Sequence, residues 1–312
     1  MPIRSVAVTG ATGFIGGAIA ESLLRQGFQV RALVRPRSSS KPLPSGVERI
    51  VGNLDDPGSI KYLLRAADAV VHCAGAVRGA RESTFTQTNA DAVNLLVRVA
   101  VHEKSIERFI LLSSLAATQP QVSPYAASKQ AGEAALKQGG SKISWLALRA
   151  PAVYGPCDRE ILPLFKVMSR GLVPVWGDSD SRFSLLFISD LVAAVSHCLS
   201  CATPLSGIYE LHDGRGNGYT MDEIIEIVAS VLQRRVYRVR VPSGLLNIIA
   251  AANLRLARVA GYQPMLTPWK LAELRHPRWV CDNSAFTAAC EWEPLVSLAE
   301  GLPLALADKR EP

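Results

Sequence analysis

The chain has 312 residues, 48% of them hydrophobic and 20% charged, which suits one large or two coupled globular units and excludes a disordered chain. No apolar run of about 18 residues appears, so no membrane span is expected, although attachment to a membrane surface stays open; the start of the chain also lacks the basic stretch, apolar core and small-residue cleavage site of a signal peptide. The net charge of +7 is not gathered into a block or an aromatic-interleaved basic stripe, so the expected partner is a small-molecule substrate, anionic groups such as phosphates included, and not nucleic acid.

In chain order, residues 3–9 form an apolar run of the kind a buried parallel strand needs. Residues 14–26 follow with helical spacing, Ile15, Ile19, Leu23 and Leu24 falling on one side. Strands are expected at 29–34 and 69–73, a long helix at 88–102 and a strand at 109–113. A helix at 125–137 and a strand at 144–149 come next. This alternation predicts an α/β fold: a Rossmann-type doubly wound parallel sheet with a smaller C-terminal α/β substrate-binding cap. After about Pro156 the alternation breaks down. Residues 185–199 read as a strand and helix that rejoin the first unit, 221–232 as an amphipathic helix, 236–241 as a short strand and 245–259 as an apolar helix carrying Arg255 and Arg258. The expected division is 1–156, completed by about 183–212, for the dinucleotide-binding domain, and 157–182 with 213–312 for the cap. Six scattered cysteines are too few for a disulfide scaffold, so a reduced, cytoplasmic protein is expected. Cys198 and Cys201 form a C-x-x-C without a second ligand pair, so they read as one face of a helix and no metal is expected. A homodimer stays open.

The segment Thr9-Gly10-Ala11-Thr12-Gly13-Phe14-Ile15-Gly16 lies between a strand and a helix. Its glycines allow a tight turn and close approach of a pyrophosphate, and the helix start offers free N–H groups and a partial positive charge. Gly10, Thr12, Gly13, Phe14 and Ile15 are therefore candidate cofactor contacts. At the end of the second strand, where NAD enzymes carry an acid for the ribose diol, the chain has Val34 followed by Arg35, with Arg37, Ser38 and Lys41 nearby. An arginine pairs with a 2′-phosphate where a carboxylate repels it, so NADP(H) is favoured and NAD(H) is the alternative.

Ser123-Pro124-Tyr125-Ala126-Ala127-Ser128-Lys129 contains Y-x-x-x-K at the start of a helix, so Tyr125 and Lys129 face the same way. A nearby ammonium is expected to lower the phenol's pKa, and the phenol then moves the proton of an alcohol while hydride moves at the nicotinamide. Leu111-Leu112-Ser113-Ser114 ends a strand just upstream.

Together these segments resemble the extended short-chain dehydrogenase/reductase family, which includes sugar-nucleotide epimerases and dehydratases, flavonol reductases and hydroxysteroid dehydrogenases. The resemblance implies that Ser114, Tyr125 and Lys129 are catalytic. It further implies cofactor contacts from Val71-His72-Cys73-Ala74-Gly75 and Ala76 (through Ala74, Gly75 and Ala76), and from Gly52-Asn53-Leu54. There Asn53 and Leu54 reach the adenine, although the family usually has Asp where this chain has Asn53. Arg149-Ala150-Pro151-Ala152-Val153-Tyr154-Gly155-Pro156 places Pro151, Ala152 and Val153 near the nicotinamide. Asn89 matches a family asparagine beside the cofactor, with helix capping as the other reading. Asp190 reads as structural.

Residues 115–122 are short and free of acids, unlike the sugar-contacting loop of the epimerases, and resemble the reductase branch. The expected function is NAD(P)-dependent hydride transfer between nicotinamide and a carbonyl or alcohol, in the form of an NADPH-dependent reductase of a partly apolar substrate. The alternative is a nucleotide-sugar epimerase or dehydratase with tightly bound NAD. A non-catalytic relative is disfavoured because Y-x-x-x-K is intact. Trp176, Trp269 and Trp279 suggest an apolar pocket, with ordinary core packing as the other reading. Arg78 is a weaker candidate for the substrate region. Arg238, Arg240, Arg275 and Arg278 could together bind a diphosphate, of a nucleotide sugar or a coenzyme-A-like carrier, and each singly reads as solvated surface.

Overall fold

A computed structural model describes residues 3–139, 142–175 and 178–307; Trp176 lies outside them. The first five strands are β1 (Ser5–Thr9), β2 (Gln29–Val34), β3 (Glu48–Val51), β4 (Ala69–His72) and β5 (Arg108–Ser114). The helices between them are α1 (Phe14–Arg25), α2 (Pro57–Leu64), α3 (Glu82–Thr86) and α4 (Ala92–Ala100). Next come α5 (Pro124–Gly139), β6 (Ser144–Ala150), β7 (Ala152–Tyr154), α6 (Leu162–Met168), β8 (Leu172–Val175), β9 (Arg182–Phe183) and β10 (Leu185–Phe187). The chain continues through α7 (Ile188–Ser200), β11 (Gly207–Glu210), β12 (Tyr219–Thr220), α8 (Met221–Leu232) and β13 (Tyr237–Arg240). It closes with α9 (Ser243–Ala260), α10 (Pro268–Arg275), β14 (Arg278–Trp279), α11 (Ser284–Cys290) and α12 (Leu298–Ala307).

A seven-stranded sheet runs β11-β6-β5-β4-β1-β2-β3, every neighbouring pair parallel. Both faces are covered, which is why its central strands are apolar throughout. Val6 and Val8 of β1 pack with Ile19 and Leu23 of α1 and Leu191 and Val195 of α7. Ala7, between them, faces the opposite layer of Ile60 and Leu63 from α2 and Leu96 and Val97 from α4. The order reverses between β1 and β4, and the ends of the strands on either side of that point form the crevice where α/β sheets bind ligands.

A further apolar core gathers Tyr154, Phe165, Leu185, Phe187, Val228 and Leu302, with Phe14 and Ile15 of α1 packed against it. Three short sheets accompany the large one: β7 with β10, β8 with β13, and β9 between β12 and β14. Asp190 on α7 accepts from the backbone N–H groups of Leu295 and Val296, at 3.1 and 3.0 Å, and so anchors the approach to α12. Arg108, nearly buried, donates to the carbonyls of Cys198, Leu199 and Cys201 and closes the C-terminal end of α7. Among the described residues no group of His, Cys, Asp and Glu is placed to hold a metal.

Two stretches differ from the expected elements. The strand β3 had little apolar pattern to announce it, since only Ile50 is buried, whereas α2, absent from the expected elements, carries Ile60, Leu63 and Leu64 at helical spacing. The long helix expected at 88–102 begins at Glu82, in the polar stretch Glu82–Thr86, and passes through a π-helical turn at Gln87–Asp91 before α4.

Candidate active site

The β1–α1 turn is tight. Gly10 has φ +76°, and a Cβ there would lie 2.7 Å from the Ala74 backbone nitrogen, so this position needs glycine both for its conformation and for the approach of the segment after β4. The Gly13 N–H closes the turn on the Gly10 carbonyl at 2.9 Å. No side chain caps α1, whose first residues, Phe14 and Ile15, present backbone N–H groups beside this turn. A bare glycine-walled cradle at a helix start fits a pyrophosphate. Beneath it, the Thr9 hydroxyl accepts from the Ala74 N–H at 3.2 Å and meets His72 Nδ1 at 2.8 Å. Burial holds His72 neutral, its pKa lowered to about 3.

Toward the β2–β3 edge, Arg35 is exposed, and its guanidinium has no hydrogen-bond or ion-pair partner among the described residues. Burial and then the Arg37 charge lower its pKa from the usual arginine value. Arg49 steadies the following loop by donating to the carbonyls of Ser39 and Lys41. Asn53 is exposed and Leu54 half-buried at the end of β3.

The opposite end gathers the remaining candidates. Asn89 does not cap a helix. From the π turn, its Oδ1 accepts from the Ala76 N–H at 2.8 Å while its Nδ2 donates to the Ala76 carbonyl at 3.0 Å and to Ser128 Oγ at 2.9 Å. This clamps the segment after β4 to α5. The approach depends on Gly132, where a Cβ would fall 2.2 Å from the Asn89 carbonyl oxygen. A Cβ on Gly75 would lie 3.5 Å from Lys129 Nζ, so the ammonium sits against the expected cofactor path. Lys129 is buried and donates to the Leu112 carbonyl at 2.8 Å; burial pulls its pKa down to about 8.

Tyr125 departs from the expectation of a phenol made more acidic by Lys129. Burial raises its pKa above the usual phenol value, the Ser114 hydroxyl opposes that rise, and the Glu273 and Glu160 charges add to it. Ser114 Oγ also accepts from the Ala116 N–H at 3.2 Å, fixing the turn after β5. Pro151, Ala152 and Val153 follow β6, whose Arg149 pairs with Glu133 of α5 at 2.7 Å; Glu133 also accepts from Ser113 at 2.5 Å. The strands β5 and β6 and the helix α5 are thereby locked together.

A narrow cleft opens over Tyr125, lined by Val77, Phe85, Pro264, Met265, Trp269 and the charged Arg78, Lys270 and Glu273. Phe85 stands edge-on to both Tyr125 and Trp269, each at 6.3 Å. Arg78 Nε lies 2.8 Å from Glu160, and Lys270 lies 2.9 Å from Glu273. Glu273 also accepts from Ser123 at 2.6 Å, and Ser123 in turn accepts from the Ala126 N–H, so α10 buttresses the start of α5. Sequence reasoning did not single out Phe85, Glu160 or Glu273. A signal existed for Glu273: it is the first acid after Glu226. Of the cap arginines, Arg238 pairs with Asp222 at 2.8 Å and Arg275 donates to Asn247, so neither points to this cleft.

The profile of the NAD dependent epimerase/dehydratase family matches residues 6–210. The chain is 35% identical over 302 residues to a ceramide reductase of Caulobacter vibrioides (strain NA1000 / CB15N), covering 96% of this chain and 89% of the relative. It is 26% identical to a 2-alkyl-3-oxoalkanoate reductase of Stenotrophomonas maltophilia (strain K279a), covering 95% of this chain and 97% of that one. The fold is shared with a UDP-glucuronic acid 4-epimerase from Bacillus cereus solved with UDP-glucuronic acid and NAD, at TM-score 0.72 and 20% identity, over 97% of this chain and 98% of the other. The chain belongs to the NAD-dependent epimerase/dehydratase family.

Proposed function

We propose that the chain is an NADPH-dependent reductase that converts a ketone on a long apolar substrate to an alcohol. The observation that carries this reading is the wall of the cleft over Tyr125. Val77, Phe85, Pro264, Met265 and Trp269 give it apolar surface, and its two cations are each already engaged by a carboxylate. A sugar nucleotide brings a diphosphate that calls for unpaired cations; an alkyl chain calls for none. The relatives named ceramide reductase and 2-alkyl-3-oxoalkanoate reductase support the same choice.

In this reading NADPH supplies the hydride. Tyr125, with a pKa raised by burial, keeps its proton at neutral pH and gives it to the substrate oxygen, while the Ser114 hydroxyl orients that oxygen. Lys129 keeps one donor on Leu112 and turns the others to ribose hydroxyls. Gly10, Thr12, Gly13, Phe14 and Ile15 hold the pyrophosphate, Asn53 and Leu54 the adenine, and Arg35 the 2′-phosphate. Ala74, Gly75 and Ala76, set by Asn89, line the nicotinamide half with Pro151, Ala152 and Val153. The division into a dinucleotide-binding body, 1–156 with 183–212, and a cap, 157–182 with 213–312, belongs to the same proposal.

The test is NADPH consumption with 3-oxo substrates of increasing chain length. Each methylene buried in the cleft adds about 0.8 kcal/mol, so kcat/KM should rise up to about fourfold per carbon until the cleft is filled. Rates indifferent to chain length, or turnover of a UDP-sugar without net NADPH consumption, would overturn the reading.

A further inference from the structure

The helix α9 carries two apolar faces. One, formed by Leu246, Ala250, Leu254 and Ala257, points inward, with the last three buried. The other is Leu245, Ile248, Ile249, Ala252, Leu256 and Val259, all exposed. At 3.6 residues per turn these six fall in a stripe about 100° wide, the width of a face that packs on something. Ile248 is 69% and Val259 88% exposed, far beyond what one isolated surface residue would suggest. A polar seam of Asn247, Arg255 and Arg258 borders the stripe.

The charge along the chain beside this face is mostly positive: Arg238 is paired with Asp222 and Lys270 with Glu273, which leaves Arg234, Arg235, Arg240, Arg255 and Arg258 without a carboxylate among the described residues. From residue 227 to residue 272 the chain holds no Asp or Glu and seven basic residues: Arg234, Arg235, Arg238, Arg240, Arg255, Arg258 and Lys270. An apolar stripe edged by arginines, without an acid along the surrounding segment, complements an anionic lipid surface. It is a poor match for a second copy of itself, since pairing α9 with α9 sets arginines against arginines. The face also adjoins the cleft over Tyr125. The chain leaves α9 and within a few residues supplies Pro264 and Met265 to the cleft wall, while Arg258 donates to the Ala80 carbonyl in the segment forming the other wall. No helix among the described residues is long and apolar enough to cross a membrane, so the attachment is to the surface.

We infer that α9 docks the protein on the surface of an anionic membrane and opens the cleft toward lipid. Docking stands on the stripe and its charge; the delivery of substrate from the bilayer rests on the reductase reading above.

The experiment is co-sedimentation of the full chain with vesicles of phosphatidylcholine alone and of an equimolar mixture with phosphatidylglycerol, beside turnover of a short, water-soluble 3-oxo substrate with NADPH. The protein should pellet with the mixed vesicles, less so with added salt, and not with phosphatidylcholine alone. Ile248→Glu with Val259→Glu should weaken vesicle binding at least tenfold, and Arg255→Ala about fivefold, with soluble turnover unchanged in both. A wild-type chain that stays in the supernatant, or binds both vesicles equally, overturns the inference while leaving the reductase reading intact. Sedimentation of a lipid-free dimer that the double substitution dissociates also overturns it, assigning the face to a second copy. Vesicle binding without any NADPH turnover upholds the docking surface and rejects the reductase reading.

Discussion

Burial, with Glu273 and Glu160 nearby, holds the Tyr125 phenol neutral, whereas the same burial loosens the proton of Lys129. The two effects pull in opposite directions because one charged form is an anion and the other a cation. With its folded-state pKa lowered from 10.5 to about 8, Lys129 carries an ammonium below about pH 8 and loses it above. The phosphates of a bound dinucleotide favour the charged form. Dinucleotide affinity should therefore fall as pH rises through 8, and binding above that pH should take up a proton. Calorimetry at pH 9 in two buffers of different ionisation heat measures this directly; no uptake in the wild type, or the same uptake in Lys129→Met, would remove Lys129 from the cofactor site. Arg35 makes a separate claim. Loss of a charge-assisted pair, about 1.5–3 kcal/mol, predicts that Arg35→Asp weakens NADPH about ten- to a hundredfold while NADH affinity holds or improves. If the ratio of the two dissociation constants does not move at low salt, the guanidinium has no phosphate to meet.

Between elements, the contact of α5 with the π turn before α4 sets the geometry of the site. Gly132 gives the room, Asn89 uses it to hold the Ala76 peptide, and Ser128 joins the clamp. Gly132→Ala forces the Asn89 carbonyl aside, a cost of about 1–3 kcal/mol, and should loosen dinucleotide binding along with stability. Denaturant melts and NADPH fluorescence titration measure the two; a variant unchanged in both would mean that the helices yield without consequence. Of these only Asn89 was singled out in the sequence, because Gly132 inside a helix looks like a simple weakness and a π turn leaves no periodic mark. What was legible followed from strong local signals. The buried strands β1, β4 and β5 are largely apolar runs; the glycine turn follows the first and Ser114 ends the last. The edge strand β3 and the two-residue strands β9, β12 and β14 carry no such pattern. Glu273 stood out only as the first acid after Glu226; its contact with Ser123, across 150 residues of chain, left no mark in the sequence.

At the scale of the whole molecule, a parallel sheet brings the candidate contacts together, and Pro264, Met265 and Trp269 meet Val77 and Phe85 across a cleft of mixed apolar and charged lining over Tyr125. Phe85 stands edge-on to Tyr125 and to Trp269 in the wall of this cleft. The exposed face of α9 stands beside that cleft. The claim that joins these parts is hydride transfer to a ketone, with Tyr125 as the proton donor. Its most direct measurement follows deuterium from NADPH deuterated at its transferable position into the product of a long-chain 3-oxo substrate, with Tyr125→Phe beside the wild type. The account predicts one deuterium on the new carbinol carbon, formed on one face only, and a rate reduced about 10²–10⁴-fold in the variant while the dinucleotide still binds. A product without deuterium, or a Tyr125→Phe variant turning over at the wild-type rate, would contradict it.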